Sequence, residues 1–124
     1  MLGAAAFVGF IPVRDVTAAR AFYEGVLGLS VIEESPFALV LDGNGTMVRV
    51  TPVPDHEARP FTIAGWDVPD IAAMVTALAD RGVSFTRYDG MDQDELGVWT
   101  SPSGARVAWF TDPDQNNLSL TQFA

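Results

Sequence analysis

Phe110-Thr111-Asp112-Pro113-Asp114-Gln115-Asn116-Asn117-Leu118-Ser119-Leu120 reads as strand, tight turn, strand. Pro113 presets φ for the first corner, and the Asp112 carboxylate can bond the backbone two residues on. Asn116 and Asn117 tolerate left-handed dihedrals that most residues avoid. Past the turn, Leu118 and Leu120 alternate with Ser119 and Thr121, the mark of a strand with one apolar face. Residues 106–111 form the strand that enters the turn, and residues 117–123 the strand that leaves it.

Working outward, the same kind of segment recurs. Residues 7–13 are a nearly continuous apolar run, read as a strand covered on both faces. Pro12 cannot donate to a ladder and belongs near that strand's end or on an edge. Asp15 or Thr17 caps a helix over residues 16–27, in which Ala19, Tyr23, Val26 and Leu27 recur at helical spacing and Gly28 is the stop. Strands are predicted over residues 29–34, 37–41 and 46–53. Asp42-Gly43-Asn44-Gly45 is a hairpin signal between the last two. Residues 51–60 are a proline-punctuated connector. The order then restarts: a strand over 61–68, and a helix capped by Asp70 with Ile71, Met74, Val75 and Leu78 on one face and Gly82 as its stop. Strands over 83–88 and 96–100 flank a polar, acidic loop at 89–95. Val13-Arg14-Asp15-Val16 matches Val68-Pro69-Asp70-Ile71, each just before a helix, so the chain carries an internal repeat of about 55 residues.

Composition narrows the classes. At 124 residues the chain has the length of one domain, and 48% hydrophobic residues argue against disorder. No apolar run is long enough to cross a membrane, and residues 1–11 lack the basic start of a signal peptide. With no cysteine, disulfides, thiolate nucleophiles and cysteine metal sites are excluded. A cytoplasmic location is the expectation. Sixteen acids against seven arginines and no lysine leave a net charge of −9, which repels phosphate backbones and anionic membranes. Neither nucleic acid nor a membrane is an expected partner. There is no G-x-S-x-G elbow, phosphate-binding glycine loop or dinucleotide fingerprint.

Arg20-Ala21-Phe22-Tyr23-Glu24-Gly25-Val26-Leu27-Gly28-Leu29 resembles the "AFY…LGL" signature of the vicinal oxygen chelate superfamily, which holds glyoxalase I, extradiol dioxygenases, fosfomycin resistance enzymes and bleomycin resistance proteins. Phe110 to Leu120 is similar to that group's closing "F-x-D-P-D-G-N-x-x-E-L", and Asp67-Val68-Pro69-Asp70-Ile71 fits the start of its second helix. The resemblance implies an α+β fold of two βαβββ modules, about 5–53 and 61–124 within a single domain, forming a curled mixed sheet with a U-shaped cleft. It also implies a homodimer. Gln115 stands where the motif has Gly, and Asn116 is the residue expected to take the positive φ instead.

Metal-dependent members of that group place ligands on the first and last strand of each module. Carried over, those places fall on Val8, Arg49, Ile63 and Ser119. None of the four offers the imidazole, carboxylate or thiolate that a divalent transition ion prefers, and the chain's one histidine, His56, lies in the connector. Metal-dependent glyoxalase or dioxygenase chemistry, a resident metal and a cofactor are therefore not expected. Strand alternation extends the four places to Phe10, Pro12, Met47, Thr51, Gly65, Asp67, Asn117 and Thr121, with Phe123 beyond. Trp99 and Trp109 are candidates for a stacking wall. The whole is an apolar lining with sparse polar groups, the usual make-up of a small-molecule site.

Each candidate has two readings. Arg49 either pairs with a neighbouring acid or anchors a carboxylate or phosphate of a ligand. Asp67 belongs to the turn before the helix or serves as a base. The tryptophans belong to a core or dimer interface, or else to a ligand wall. Residues 89–95 are a solvated loop rather than a calcium loop, for they lack EF-hand spacing. The expected function is metal-free binding of a small molecule between the modules, in the manner of the bleomycin-resistance group. A metal-independent enzyme using Asp67 or His56 is the alternative.

Overall fold

The computed structural model describes residues 1–124. The chain divides into two compact units, Met1–Glu57 and Ala58–Ala124. Each is a four-stranded mixed sheet with a helix on one face, and both use one strand order.

In the first unit, β1 (Val8–Val13) leads through Asp15 into α1 (Val16–Arg20), then β2 (Ser30–Glu34), β3 (Leu39–Asp42) and β4 (Met47–Pro52) follow. The sheet order is β1-β4-β3-β2, with β1 and β4 parallel and the other pairs antiparallel. Asp15 caps as expected, its carboxylate accepting from the Ala18 N–H at 3.0 Å. The helix then departs from the simple periodicity. Over Ala21–Val26 it widens into a π-helical turn, with the Leu27 N–H on the Phe22 carbonyl at 2.9 Å. It stops at Gly28, whose φ of 79° is a left-handed value. Ala19 and Tyr23 are buried in this stretch. Pro12 lies within β1, on the sheet's edge, where its missing N–H costs no ladder bond. The β3–β4 hairpin closes as its sequence demands: Asn44 and Gly45 take positive φ, and the Asp42 carboxylate accepts from the Gly45 N–H at 2.7 Å.

In the second unit, β5 (Thr62–Asp67) leads through Asp70 into α2 (Ile71–Asp80), then β6 (Trp99–Thr100), β7 (Arg106–Thr111) and β8 (Asn117–Gln122) follow. The order is β5-β8-β7-β6, with β5 and β8 parallel. Asp70 accepts from the Ala73 N–H at 3.1 Å, and α2 buries Ile71, Val75 and Leu78 against the sheet. The core of each unit lies between helix and sheet: Ile11, Val13, Leu39, Leu41 and Val50 in the first, and Ala108, Phe110, Leu118 and Leu120 in the second.

Three expectations are corrected. Residues 83–88 are not a strand. Only the Thr86 N–H reaches β7, on the Trp109 carbonyl at 2.8 Å, and the side chain of Gln93 bonds the Tyr88 N–H and the Thr86 carbonyl in place of a ladder. The strand predicted over 96–100 shrinks to Trp99–Thr100, because the Asp94 carboxylate draws the N–H groups of Leu96 and Val98 into a turn. In the closing turn it is Gln115, not Asn116, that adopts positive φ, at 68°. Asn116 is held otherwise: Asp112 accepts from the backbone N–H of Asp114 and Asn116 and from the Asn116 side-chain amide, all at 2.9–3.0 Å and all buried.

Candidate functional site

Each sheet turns one face to its helix and leaves the other open. Residues paired directly across strands share a face, so the register fixes what each open face carries.

In the first unit, Val8 pairs with Met47, Phe10 with Arg49 and Pro12 with Thr51. Across β3, Arg49 is followed by Val40 and then Glu33. The expected set Val8, Phe10, Met47, Arg49 and Thr51 is thus brought together on one face. On that face Phe10 is 63% exposed and Met47 44%, while Val40 is buried. Arg49 is half-buried in the middle of it and takes part in no salt bridge. The acid on its row, Glu33, stands two strands away. The other ion pairs are peripheral, such as Arg20 with Glu24 at 3.1 Å on the helix surface.

In the second unit the open face is a grid of three rows. Trp99, Val107, Thr121 and Asp67 form one; Trp109, Ser119 and Gly65 the next; Thr111, Asn117 and Thr62 the last. Asn117, Ser119, Thr121 and Asp67 share a face, and the register places Trp99 and Trp109 on it as well. Their rings lie 6.2 Å apart and tilted by 38°. Ser119 is buried, and Gly65 beside it leaves room for its hydroxyl; a Cβ there would collide with Ser119 Oγ and lie 3.0 Å from its carbonyl oxygen. Ile63 does not join the rows. It is the extra residue of a β-bulge between Thr62 and Ala64 and has no register partner. His56 stays in the connector, its N–H on the Val53 carbonyl.

One residue of this face was not foreseen. Tyr88 lays its ring edge-on against Trp109, 5.4 Å between centroids at 88°, and its hydroxyl accepts from the Asn117 side-chain amide at 3.1 Å. Read as the end of a strand, Tyr88 carried no signal of this. It depends on the irregular path of residues 83–98, which local periodicity does not encode.

The donor set of the two faces is poor in metal ligands. No three of His, Cys, Asp and Glu are placed so that they could hold a metal ion together. No helix is long and apolar enough to cross a membrane.

An antibiotic-binding protein, TnmS3 from Streptomyces sp. CB03234, is 24% identical and superimposes with a TM-score of 0.76, covering 100% of this chain and 99% of that one. A member of the glyoxalase/bleomycin resistance protein/dioxygenase superfamily from Sphaerobacter thermophilus DSM 20745 is 23% identical with a TM-score of 0.76, covering 98% and 99%. A bleomycin resistance determinant encoded on the transposon Tn5 is 21% identical with a TM-score of 0.75, covering 97% and 98%. These likenesses establish the fold. A search of curated proteins gives no significant match. The family model described as Glyoxalase/Bleomycin resistance protein/Dioxygenase superfamily matches residues 4–120, nearly the whole chain, and the chain belongs to that superfamily.

Proposed function

We propose that this protein binds an organic small molecule on the open faces of its βαβββ sheets without a metal ion. One observation carries the reading. Carried over from the family resemblance, the places of the metal ligands in metal-dependent relatives fall on Val8, Arg49, Ile63 and Ser119. A valine and an isoleucine have no lone pair to offer, a guanidinium is a permanent cation, and a lone serine hydroxyl is a weak ligand. The faces that carry Val8, Arg49 and Ser119 combine apolar residues with a few polar groups, which suits a ligand held by burial and oriented by hydrogen bonds. Likeness in fold to an antibiotic-binding protein and a bleomycin resistance determinant supports binding over catalysis.

Two measurements on the purified protein test this together. Elemental analysis is expected to find no stoichiometric divalent ion after dialysis. A thermal-shift screen of planar aromatic compounds, neutral and anionic, is expected to raise Tm with ligand concentration, as mass action requires of a ligand that binds the native state. One tightly held ion per chain, or a Tm indifferent to every compound, would overturn it.

A further inference from the structure

Asn117 is 9% exposed, and its amide is only half satisfied. The nitrogen donates to the Tyr88 hydroxyl at 3.1 Å, while Oδ1 is buried with no partner. Reversing the amide leaves the imbalance intact. A phenol hydroxyl can serve as donor or acceptor to one end of the amide, and the other end would still be orphaned. A buried polar atom left unpaired costs about 1–3 kcal/mol, so the position calls for a partner that Tyr88 alone does not supply.

Tyr88 is partly exposed at this spot and pairs with no strand, although its N–H is held by Gln93 Oε1 at 2.8 Å. It is 37% exposed and lies on the stretch that makes one backbone bond to β7. Its ring packs perpendicular to that of Trp109, with Trp99 on the flank of Trp109. A phenol resting on an indole with its hydroxyl on an amide is what a bound aromatic ligand would look like there.

We propose that Tyr88 is an internal placeholder for the ligand and that Asn117 selects what replaces it. The ligand is a planar ring with a hydrogen-bond acceptor and donor side by side on one edge, as in a lactam. It takes the place of the Tyr88 ring against Trp109. Its carbonyl accepts from Asn117 Nδ2 and its N–H donates to Oδ1, so both ends of the amide are paired. This deepens the proposed function and rests on it.

The test uses three ring-matched probes on the full chain, followed by tryptophan fluorescence: 2-quinolinone with the donor–acceptor edge, quinoline with an acceptor only, and naphthalene with neither. The wild type is expected to bind 2-quinolinone about tenfold tighter than quinoline, the worth of one net hydrogen bond. Asn117→Leu should abolish that ratio. Tyr88→Ala should strengthen 2-quinolinone binding several-fold, because the competing ring is gone. In the wild type, the Asn117 side-chain amide signals in a ¹⁵N NMR spectrum should shift with 2-quinolinone, a readout that needs no variant to fold. Equal affinities for 2-quinolinone and quinoline, an unmoved amide signal, or weaker binding in Tyr88→Ala would overturn the role of Asn117 and Tyr88 while leaving small-molecule binding in place. Failure of all three probes to bind would overturn both.

Discussion

Gln115 occupies a left-handed conformation, φ 68°, in the turn between β7 and β8. For a residue with a Cβ that conformation costs roughly 1–2 kcal/mol, and the turn tolerates it because its neighbours leave no alternative. Asp112 collects three hydrogen bonds from Asp114 and Asn116, and the Gln115 N–H bonds the Asp112 carbonyl at 2.9 Å. The side chain of Asn116 is fully enlisted in that knot, which is why the residue chemically suited to positive φ is not the one that adopts it. Gln115→Gly should therefore stabilise the protein. Relief of the strain outweighs the extra freedom glycine has in the unfolded chain, for a net gain of about 0.5–1 kcal/mol. Urea denaturation would show it as a higher midpoint at an unchanged slope; an unchanged or lower midpoint would mean the Gln115 side chain contributes more than the strain costs.

Among the elements, the pairing of β5 with β8 depends on Gly65. A methyl group there would meet both the hydroxyl and the backbone of Ser119, so Gly65→Ala is expected to cost about 1–3 kcal/mol, the usual range for overpacking. Part of the clash is with Oγ, so Ser119→Ala in the same chain should recover part of the loss. A double-mutant cycle from urea curves would then give a coupling energy of roughly 0.5–1 kcal/mol, and strict additivity would mean the strands separate rather than crowd. The elements themselves differ in how far they can be read from sequence. Local chemistry decides β7, the β3–β4 hairpin and both aspartate caps, and there the expected and observed structures agree. Residues 83–88 have the composition of a strand, yet β7 offers them one carbonyl, because the turn built on Asp94 directs the chain away. The π-helical turn at Ala21–Val26 and the bulge at Ile63 each shift a register by one residue without any local marker. Alternation along β4 and β8 was enough to group Met47 with Arg49 and Asn117 with Ser119. The contribution of Tyr88 was hidden, since it arrives from a segment whose path is set by tertiary contacts.

For the molecule as a whole, the charge balance and the open face of the first unit pull in opposite directions. A net −9 surrounds a half-buried arginine that no acid neutralises. An anionic ligand would be repelled at long range and attracted at contact. Salt separates the two effects. Between 0.02 M and 0.2 M the Debye length falls from roughly 20 Å to about 7 Å. The summed field of the distant acids is then largely screened, whereas a short contact with a half-buried guanidinium is screened much less. An aromatic carboxylate that binds here should therefore bind faster and somewhat tighter as salt rises, while a neutral analogue of the same shape should be indifferent. Arg49→Ala should weaken the carboxylate at least about tenfold, as loss of a charge-assisted bond would, and leave the neutral analogue unchanged. Titrations of both compounds against both proteins at two salt concentrations would decide it. Carboxylate affinity that falls with salt in the wild type, or survives in Arg49→Ala, would place the anion's contact elsewhere and return Arg49 to a structural role.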